Sequence, residues 1–274
     1  MSTNEELGNG AAVELAGRVV VVTGAAQGIG AALARRFAAE GAAGVVVSDV
    51  NLAGAESVAA DIRAEGGQAI AQRTDVGSKS DLRELVAAAR AQYGPVDVFC
   101  ANAGVAFGTG VHAPGDQWAR SWSINVMQHV YAAQLVVPGM VRRGGGYLLI
   151  TASAAGLLGA PGDAPYSVSK AAVIGLAEWL AVTYRQRGVL VSALCPLGVR
   201  TALLEPALAA GHPTALAIAA AGPLLEPAEV AESAVRGMRD EEFLILPHEF
   251  VRERYANKAS DPARWIEQVI TGGY

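Results

Sequence analysis

The sequence predicts an α/β fold, with an open, doubly wound parallel sheet of about seven strands and helices on both faces. Three observations predict it. Short, β-branched apolar segments alternate with longer amphipathic segments along nearly all of the 274 residues. The apolar segments are continuous, which is typical of strands buried on both faces. A glycine-rich turn connects the first of them to the first amphipathic segment.

In the first half of the chain, four strands alternate with four helices. A polar leader, residues 1–16, precedes them, and we expect it to be flexible. The apolar runs predict strands at 18–23, 44–49, 68–76 and 96–101. The amphipathic segments predict helices at 29–40, 52–65, 81–93 and 118–141. Ser80 is the candidate N-cap of the third helix, because its hydroxyl can accept a backbone N–H.

The second half continues the alternation. A helix is expected at 166–186, and apolar runs predict strands at 146–153, 189–196 and 243–246. No linker or shift in composition divides the chain, so residues 17–274 are interpreted as one domain. Two segments differ from the rest. Residues 201–225 are rich in Ala, Leu and Pro, and residues 248–274 form a tail of mixed charged and aromatic residues.

The composition is that of a globular enzyme, 52% hydrophobic and 17% charged. A net charge of −5 without a basic stripe argues against nucleic-acid binding. The acidic first residues do not resemble a signal peptide, and no apolar stretch is long enough to span a bilayer. We therefore expect a cytoplasmic protein without membrane association. Cys100 and Cys195 lie in apolar runs as packing residues, and no metal-ligand spacing is present.

The turn Thr23-Gly-Ala-Ala-Gln-Gly-Ile-Gly30 follows the first predicted strand directly. Its three glycines let the backbone approach a pyrophosphate, which then binds the free N–H groups at a helix N-terminus. Many helices begin with glycine for steric reasons alone. The position straight after a buried strand favours a dinucleotide site, and hence a Rossmann-like sheet.

Asp49 ends the second predicted strand, beyond the glycine turn. A dinucleotide fold places there the acid that binds the ribose hydroxyls. Without the turn, Asp49 would be interpreted as a solvated acid. Its carboxylate would repel the extra charge of an NADP 2′-phosphate, and no basic residue near the turn offsets this repulsion. NAD is therefore the predicted cofactor, with NADP as the alternative.

Tyr166 and Lys170 lie one helical turn apart on one face of a predicted helix. A tyrosine has a pKa of about 10. An ammonium at 4 Å would stabilise its phenolate by roughly 4 kcal/mol at an effective dielectric of 20. The pair therefore fits a tyrosine acid/base. Because Tyr and Lys also share many solvated helix faces, the spacing alone leaves both interpretations open.

With these motifs in this order, the chain resembles the short-chain dehydrogenase/reductase family from about residue 17 to residue 246. Two positions depart from the family pattern. Ala101 replaces the first asparagine of NNAG, and Leu197 replaces the glycine of Pro-Gly, which leaves the backbone path there open. The resemblance implies that the cofactor is bound by Gly24, Gln27, Gly28, Ile29, Gly30, Asp49, Asp75, Val76, Asn102, Ala103, Gly104, Tyr166, Lys170, Pro196, Val199 and Thr201.

The family's catalytic tetrad matches four residues of this chain, Asn125, Ser153, Tyr166 and Lys170. The resemblance implies that Asn125 holds a water in a proton relay and that Ser153 binds the substrate oxygen. Tyr166 would be the acid/base, and Lys170 would lower its pKa and bind the nicotinamide ribose. The implied function is an NAD-dependent oxidoreductase that interconverts a secondary alcohol and a ketone.

Several alternatives stay open. The protein could instead be an NADPH-dependent carbonyl reductase, or a non-catalytic dinucleotide-binding regulator on the same fold. Segment 201–225 takes the place of the family's substrate loop, and its composition indicates either an apolar pocket or ordinary helix packing. His112 and Trp118 are candidates for substrate contact. The tail caps the active-site mouth or an oligomer interface, or ends as a frayed terminus. We expect a homo-oligomer, either a tetramer or a dimer.

Overall fold

A parallel seven-stranded sheet forms the centre of the protein in a computed structural model that describes residues 14–159 and 161–272. Residues 1–13 of the predicted leader lie outside the described part. The strands are β1 (Val19–Thr23), β2 (Gly44–Asp49), β3 (Ala69–Arg73), β4 (Val98–Ala101), β5 (Gly146–Thr151), β6 (Val189–Leu194) and β7 (Leu244–Ile245). Their spatial order is β3-β2-β1-β4-β5-β6-β7, with parallel neighbours throughout. The predicted doubly wound sheet is confirmed.

Helices cover both faces of this sheet. They are α1 (Gly28–Ala39), α2 (Leu52–Ala64), α3 (Lys79–Tyr93), α4 (Gly115–Trp122), α5 (Gln128–Arg143), α6 (Ala154–Leu158), α7 (Ala164–Tyr184), α8 (Glu205–Ala209), α9 (Pro213–Ala221), α10 (Pro227–Arg239), α11 (Phe250–Ser260) and α12 (Pro262–Ile270). Side chains of α1, α2 and α10 form one core cluster with the sheet. Those of α3, α5 and α7 form the other.

Strand β1 shows why a continuous apolar run forms a central strand. All five of its residues are buried, and alternate side chains point to opposite faces. Val20 and Val22 pack in the cluster of α1, α2 and α10, whereas Val21 packs in that of α3, α5 and α7. A strand between two helical layers needs apolar residues at every position, and the sequence provides them.

Some predicted boundaries are wrong by a few residues. Strand β3 ends at Arg73 because the N–H of Asp75 turns away to the Asp81 carboxylate, at 3.1 Å. Ser80 is not the N-cap of α3. Ser78 caps it, since its Oγ accepts the N–H of Asp81 at 3.3 Å. Asp75 is therefore a loop residue at the end of the sheet and not part of a strand.

The helix predicted at 118–141 is interrupted by a π-helical segment, Ser123–Met127, between α4 and α5. Asn125 lies in this segment and is fully buried. Its Oδ1 accepts the N–H of Val105 at 2.9 Å, and its Nδ2 donates to the Val105 carbonyl at 2.9 Å. Gln128 donates from Nε2 to the Ile124 carbonyl at 2.5 Å. Side-chain bonds of this kind perturb a helix locally, and hydropathy does not reveal them.

The two segments of unusual composition both contain helices. Helices α8 and α9 lie within residues 201–225, and α11 and α12 lie within the tail. Trp265 of α12 is buried, so the described tail, residues 248–272, is not a frayed terminus. Within the described ranges, no helix is long and apolar enough to cross a membrane.

Helix α7 begins at Ala164, two residues earlier than predicted, because Asp163 caps it. Oδ1 of Asp163 accepts the N–H of Tyr166 at 3.0 Å. Its Oδ2 accepts the N–H groups of Phe107 and Gly108 at 2.8 and 2.7 Å. Bonds to a charged acceptor are stronger than those to a neutral one. One buried carboxylate therefore fixes both the start of α7 and the loop after β4.

We predict that Asp163→Ala lowers the free energy of unfolding by roughly 2–4 kcal/mol. The change would leave three backbone N–H groups without their acceptor, whereas a helix cap alone contributes about 1 kcal/mol. Urea denaturation followed by circular dichroism would measure the loss.

Asp261→Ala is the matched control. Asp261 caps α12 through a hydrogen bond from the N–H of Arg264 at 3.0 Å, and it lies at the surface. We expect a loss of about 1 kcal/mol from this variant. Equal losses in the two variants would contradict the bridging role of Asp163.

Candidate active site

A cleft of about 750 Å³ opens at the carboxyl ends of the strands, where the chain order reverses between β1 and β4. Ligands of open α/β sheets bind at this point. Asn125, Ser153 and Val199 are buried and do not line the cleft. The other sequence-predicted site residues line it: Gly24, Gln27, Gly28, Ile29, Gly30, Asp49, Asp75, Val76, Asn102, Ala103, Gly104, Tyr166, Lys170, Pro196 and Thr201.

The glycine turn is packed too closely to hold side chains. A Cβ at Gly24 would lie 2.7 Å from Cα of Ala103, and a Cβ at Gly30 would lie 2.2 Å from the Gly24 carbonyl oxygen. Gly24 also has a φ of +64°, which favours glycine. A ligand can therefore approach the backbone N–H groups at the start of α1, where the helix dipole favours negative charge. A pyrophosphate fits this cradle.

Asp49 ends β2, Asp75 lies in the loop after the neighbouring β3, and both line the cleft. Oδ2 of Asp49 accepts the N–H of Ala26 at 3.1 Å, and its Oδ1 accepts that of Asn51 at 2.9 Å. Oδ1 of Asp75 accepts the N–H of Gly77 at 2.9 Å. Each carboxylate oxygen can accept more than one hydrogen bond. Asp49 can therefore also accept bonds from the hydroxyls of a ribose.

Asn102 joins three strands at the floor of the cleft. Its N–H donates to Oγ1 of Thr23 at 2.9 Å, and its Nδ2 donates to the Thr23 carbonyl at 3.1 Å. Oγ1 of Thr151 donates to Oδ1 of Asn102 at 3.1 Å. Because Thr23 ends β1 and Thr151 ends β5, these bonds fix the loop after β4 against both neighbouring strands.

Lys170 and Tyr166 share one face of α7. Lys170 is 2% exposed, and its Nζ donates to the Thr151 carbonyl at 2.8 Å. The same Nζ lies 5.6 Å from the centre of the Tyr166 ring. Burial lowers the pKa of Lys170 to about 8, because a low dielectric disfavours the charged form. An ammonium has three N–H donors, so Nζ can also bind a ligand in the cleft.

Ser153 caps the short helix α6 and meets Tyr166. Its Oγ donates to the Pro196 carbonyl at 3.4 Å and is hydrogen-bonded to the Tyr166 side chain. On the other side of α7, Nδ2 of Asn125 donates to Oγ of Ser169 at 3.0 Å. The structure thus brings the four residues of the predicted tetrad together around one helix.

The pKa of Tyr166 is not lowered in the free protein, contrary to the expectation from its spacing to Lys170. Burial raises the pKa of the phenol, the hydrogen bond to Ser153 opposes this rise, and the Asp163 carboxylate adds to it. The ammonium of Lys170 donates to the Thr151 carbonyl, with its Nζ 5.6 Å from the centre of the Tyr166 ring. Tyr166 is therefore protonated at neutral pH, as a proton donor must be.

His129 lies one turn after Asn125 and is buried near Lys170. Neither ring nitrogen makes a hydrogen bond of normal geometry within the described residues. Burial lowers the pKa of His129 to about 3, the Lys170 ammonium adds to this lowering, and the Asn125 backbone opposes it. The imidazole is therefore neutral at physiological pH, and it adds no second positive charge beside Lys170.

The loop after β6 is held in place despite the departure at Leu197. The N–H of Leu197 donates to Nδ1 of His248 at 3.2 Å. Pro196 and Thr201 line the cleft, whereas the side chain of Val199 is buried outside it. A residue of the tail thus supports the position where the family glycine is missing.

A second cavity of about 320 Å³ adjoins the mouth of the cleft. Three of its residues also line the cleft itself. His112 and Trp118, the candidates for substrate contact, line neither cavity, and His112 lies in an exposed turn before α4. The lining residues of the second cavity are Val105, Ala106, Phe107, Asp116, Gln117, Arg120 and Leu203.

Sequence reasoning assigned no role to several residues that hold the site together, among them Thr23, Thr151 and Asp163. A signal existed for Asp163, because an Asp followed by Pro165 in the first helical turn is typical of a helix N-terminus. The two threonines end strands, and the bonds of their hydroxyls depend on which strands are neighbours. No local pattern gives that information.

Comparison with known proteins identifies relatives of this chain. A family model described as short chain dehydrogenase matches residues 18–210. The chain is 36% identical over 189 residues to dehydrogenase/reductase SDR family member 4 of Homo sapiens, which covers 68% of each chain. It is 38% identical over 192 residues to 1-deoxy-11-beta-hydroxypentalenate dehydrogenase of Streptomyces exfoliatus, covering 69% of this chain and 70% of that one.

Another relative is 2,5-dichloro-2,5-cyclohexadiene-1,4-diol dehydrogenase of Sphingobium indicum, with 34% identity over 188 residues, 68% of this chain and 75% of that one. Among solved structures, a short chain dehydrogenase/reductase from Burkholderia phymatum in complex with NAD superposes with a TM-score of 0.82. It is 29% identical, and the match covers 91% of this chain and 95% of that one. By sequence, sheet and cleft alike, the chain belongs to the short chain dehydrogenase family.

Proposed function

We propose that this protein is an NAD-dependent oxidoreductase that interconverts a secondary alcohol and a ketone. The observation that carries the proposal is the meeting of three side chains at the cleft, where Ser153 bonds the phenol of Tyr166 and Lys170 is buried one turn away. Two relatives are named as dehydrogenases of a cyclic diol and of a hydroxypentalenate. These names support chemistry at a CH–OH group.

A bound nicotinamide dinucleotide would supply or accept the hydride. Tyr166 would give its phenolic proton to the carbonyl oxygen during reduction and take it back during oxidation. Burial raises the pKa of this phenol, so the proton is present before reduction. Ser153 would turn its single O–H from the Pro196 carbonyl to the same oxygen as negative charge develops there. Lys170 would bind the ribose of the cofactor and, as an ammonium, stabilise the phenolate.

Asn125 would act through its backbone. Its side chain already bonds the backbone of Val105 and the hydroxyl of Ser169. A water that carries protons between Lys170 and solvent would therefore bind the Asn125 carbonyl.

The substrate is proposed to be apolar. The second cavity, at the mouth of the cleft, presents the side chains of Val105, Phe107 and Leu203, the last of which lies in the predicted substrate loop. The same cavity also carries Arg120 and Asp116. Because Arg120 could pair with a carboxylate, carboxylated substrates are the alternative to test. A homo-oligomeric state and a cytoplasmic location stay predictions.

Tyr166→Phe tests the function. We predict that it lowers ketone reduction by at least about 100-fold, since a positioned proton donor contributes roughly 10²–10⁴-fold. NADH should bind with nearly the same affinity, because the phenyl ring keeps the shape of the site. Reduction of neutral and carboxylated ketones is followed by the loss of NADH absorbance, and NADH binding by fluorescence.

Tyr184→Phe, at the far end of the same helix, is the matched control and should keep full turnover. Unchanged turnover in Tyr166→Phe would refute the role of the phenol. A clear preference of the wild-type protein for carboxylated ketones would refute the apolar pocket.

Asp49 should determine the choice of cofactor. We predict that NADH binds roughly 100-fold more tightly than NADPH, because the 2′-phosphate would meet a like charge. Asp49→Asn should reduce this ratio at least about tenfold, while Asp61→Asn, a surface acid on α2, should leave it unchanged. Fluorescence titration with both dinucleotides measures the ratio. Equal affinities in the wild-type protein would favour the NADPH-dependent reductase instead.

A further inference from the structure

Residues 248–270, here called the C-terminal clasp, follow β7 and contact the protein at two places near the cleft. The family match ends at residue 210, so the clasp lies outside the matched part of the chain. It contains helices α11 and α12 and buries His248, Val251 and Trp265. A terminal segment with three buried side chains is a fixed part of the fold.

The first contact is made by His248, which is 3% exposed. Its Nδ1 accepts the N–H of Leu197 at 3.2 Å, and its Nε2 lies 3.1 Å from the Pro223 carbonyl. Since Nδ1 must accept a hydrogen bond, the proton of the neutral ring is on Nε2, which donates to the carbonyl. Burial lowers the pKa of His248, which favours this neutral form. One ring thus joins the loop after β6 to the end of segment 201–225.

Phe250 and Arg254 reinforce this contact. A Cβ at Gly222 would lie 2.6 Å from Cζ of Phe250, so the ring packs directly on the backbone there. The ring of Phe250 meets that of His248 edge-on, with centroids 5.9 Å apart. Arg254 lies 4.7 Å from the Phe250 centroid and donates to the Ala221 carbonyl at 3.4 Å. These residues together fix positions 221–223, where the substrate loop ends.

At the second contact, Lys258 and Trp265 of the clasp bond to backbone carbonyls of helix α6. Nζ of Lys258 donates to the Leu157 carbonyl at 2.6 Å, and Nε1 of Trp265 donates to the Leu158 carbonyl at 3.2 Å. The last carbonyls of a helix have no partners within the helix. In a helix of five residues, these carbonyls without helical partners are a large share of the backbone. The clasp supplies hydrogen-bond donors to two of them.

Both contacts act on elements that are bonded to Ser153. This residue caps α6 at the end opposite to the clasp, and its Oγ donates to the carbonyl of Pro196, directly before Leu197. We propose that the C-terminal clasp is a positioning element, in which His248 and Trp265 hold Ser153 and the substrate loop in register with the cleft. The effect on catalysis rests on the proposed function, whereas the effect on order within these segments does not.

Trp265→Phe is the mildest test, because it keeps an aromatic ring and removes the indole N–H. Hydrogen exchange of the full-length variant, followed by mass spectrometry, should become about tenfold faster or more in residues 154–159. The kcat of ketone reduction should fall about fivefold or more, because a displaced Ser153 would stabilise the developing charge on the substrate oxygen less well. NADH affinity should be unchanged, since Trp265 contacts α6 and not the glycine turn.

His248→Leu tests the other contact and should leave the N–H of Leu197 unpaired. Exchange should become about tenfold faster or more in residues 196–204 and 221–225, and the KM for the ketone should rise. His248→Gln, which keeps a donor and an acceptor, should restore part of the protection from exchange and part of the low KM. Trp179→Phe is the matched control for Trp265→Phe. Trp179 is 58% exposed on α7, so its substitution should change neither the exchange rates nor the kinetics.

Exchange rates equal to those of the wild-type protein, in both Trp265→Phe and His248→Leu, would overturn the clasp. Faster exchange with unchanged kcat and KM would overturn its positioning role. A wild-type protein that turned over no ketone or alcohol would refute the proposed function instead. The exchange rates of the same variants would then still decide whether the clasp holds the two segments.

Discussion

The site depends on a buried ammonium that a backbone carbonyl holds at the end of a parallel strand. Nζ of Lys170 donates to the Thr151 carbonyl, where β5 ends. Removing an ammonium from water is costly, and this cost lowers the pKa of Lys170 to about 8. The Thr151 carbonyl offsets part of this cost, and the bond to it requires helix α7 to lie with this face towards the sheet edge. That orientation places Tyr166, one turn earlier, at the cleft.

The neighbouring residues support this arrangement from three sides. Asp163 fixes where α7 begins, and with it the loop after β4. Asn125 connects the π-helical segment to α7 through Ser169. Ser153 reaches the phenol from α6, which the C-terminal clasp holds at its other end. The site is thus built from hydrogen bonds between separate elements of the fold.

Much of this could be predicted from the sequence, because its causes are local. Continuous apolar runs give buried strands, and alternation with helices gives a doubly wound sheet. A glycine turn after the first strand places a dinucleotide site, and a four-residue spacing puts Tyr166 and Lys170 on one helix face. These inferences need no knowledge of which elements are neighbours in space.

The remainder depends on contacts between distant residues. His248 supports Leu197 from 51 positions away, and the bond has no counterpart in local spacing. The pKa of Tyr166 could not be inferred from the four-residue spacing, because desolvation of the buried phenol raises it. The π-helical segment likewise follows from side-chain bonds to another loop. Packing decides all three.

A direct measurement of the ionisation of Lys170 would test this account. The chain has three lysines, Lys79, Lys170 and Lys258, so the signals of ¹³Cε-labelled lysine can be assigned by substitution. The buried ammonium predicts a titration midpoint of about 8 for Lys170 in the free protein. A midpoint of about 10 or above, the value of a solvated lysine, would contradict its burial at the end of β5.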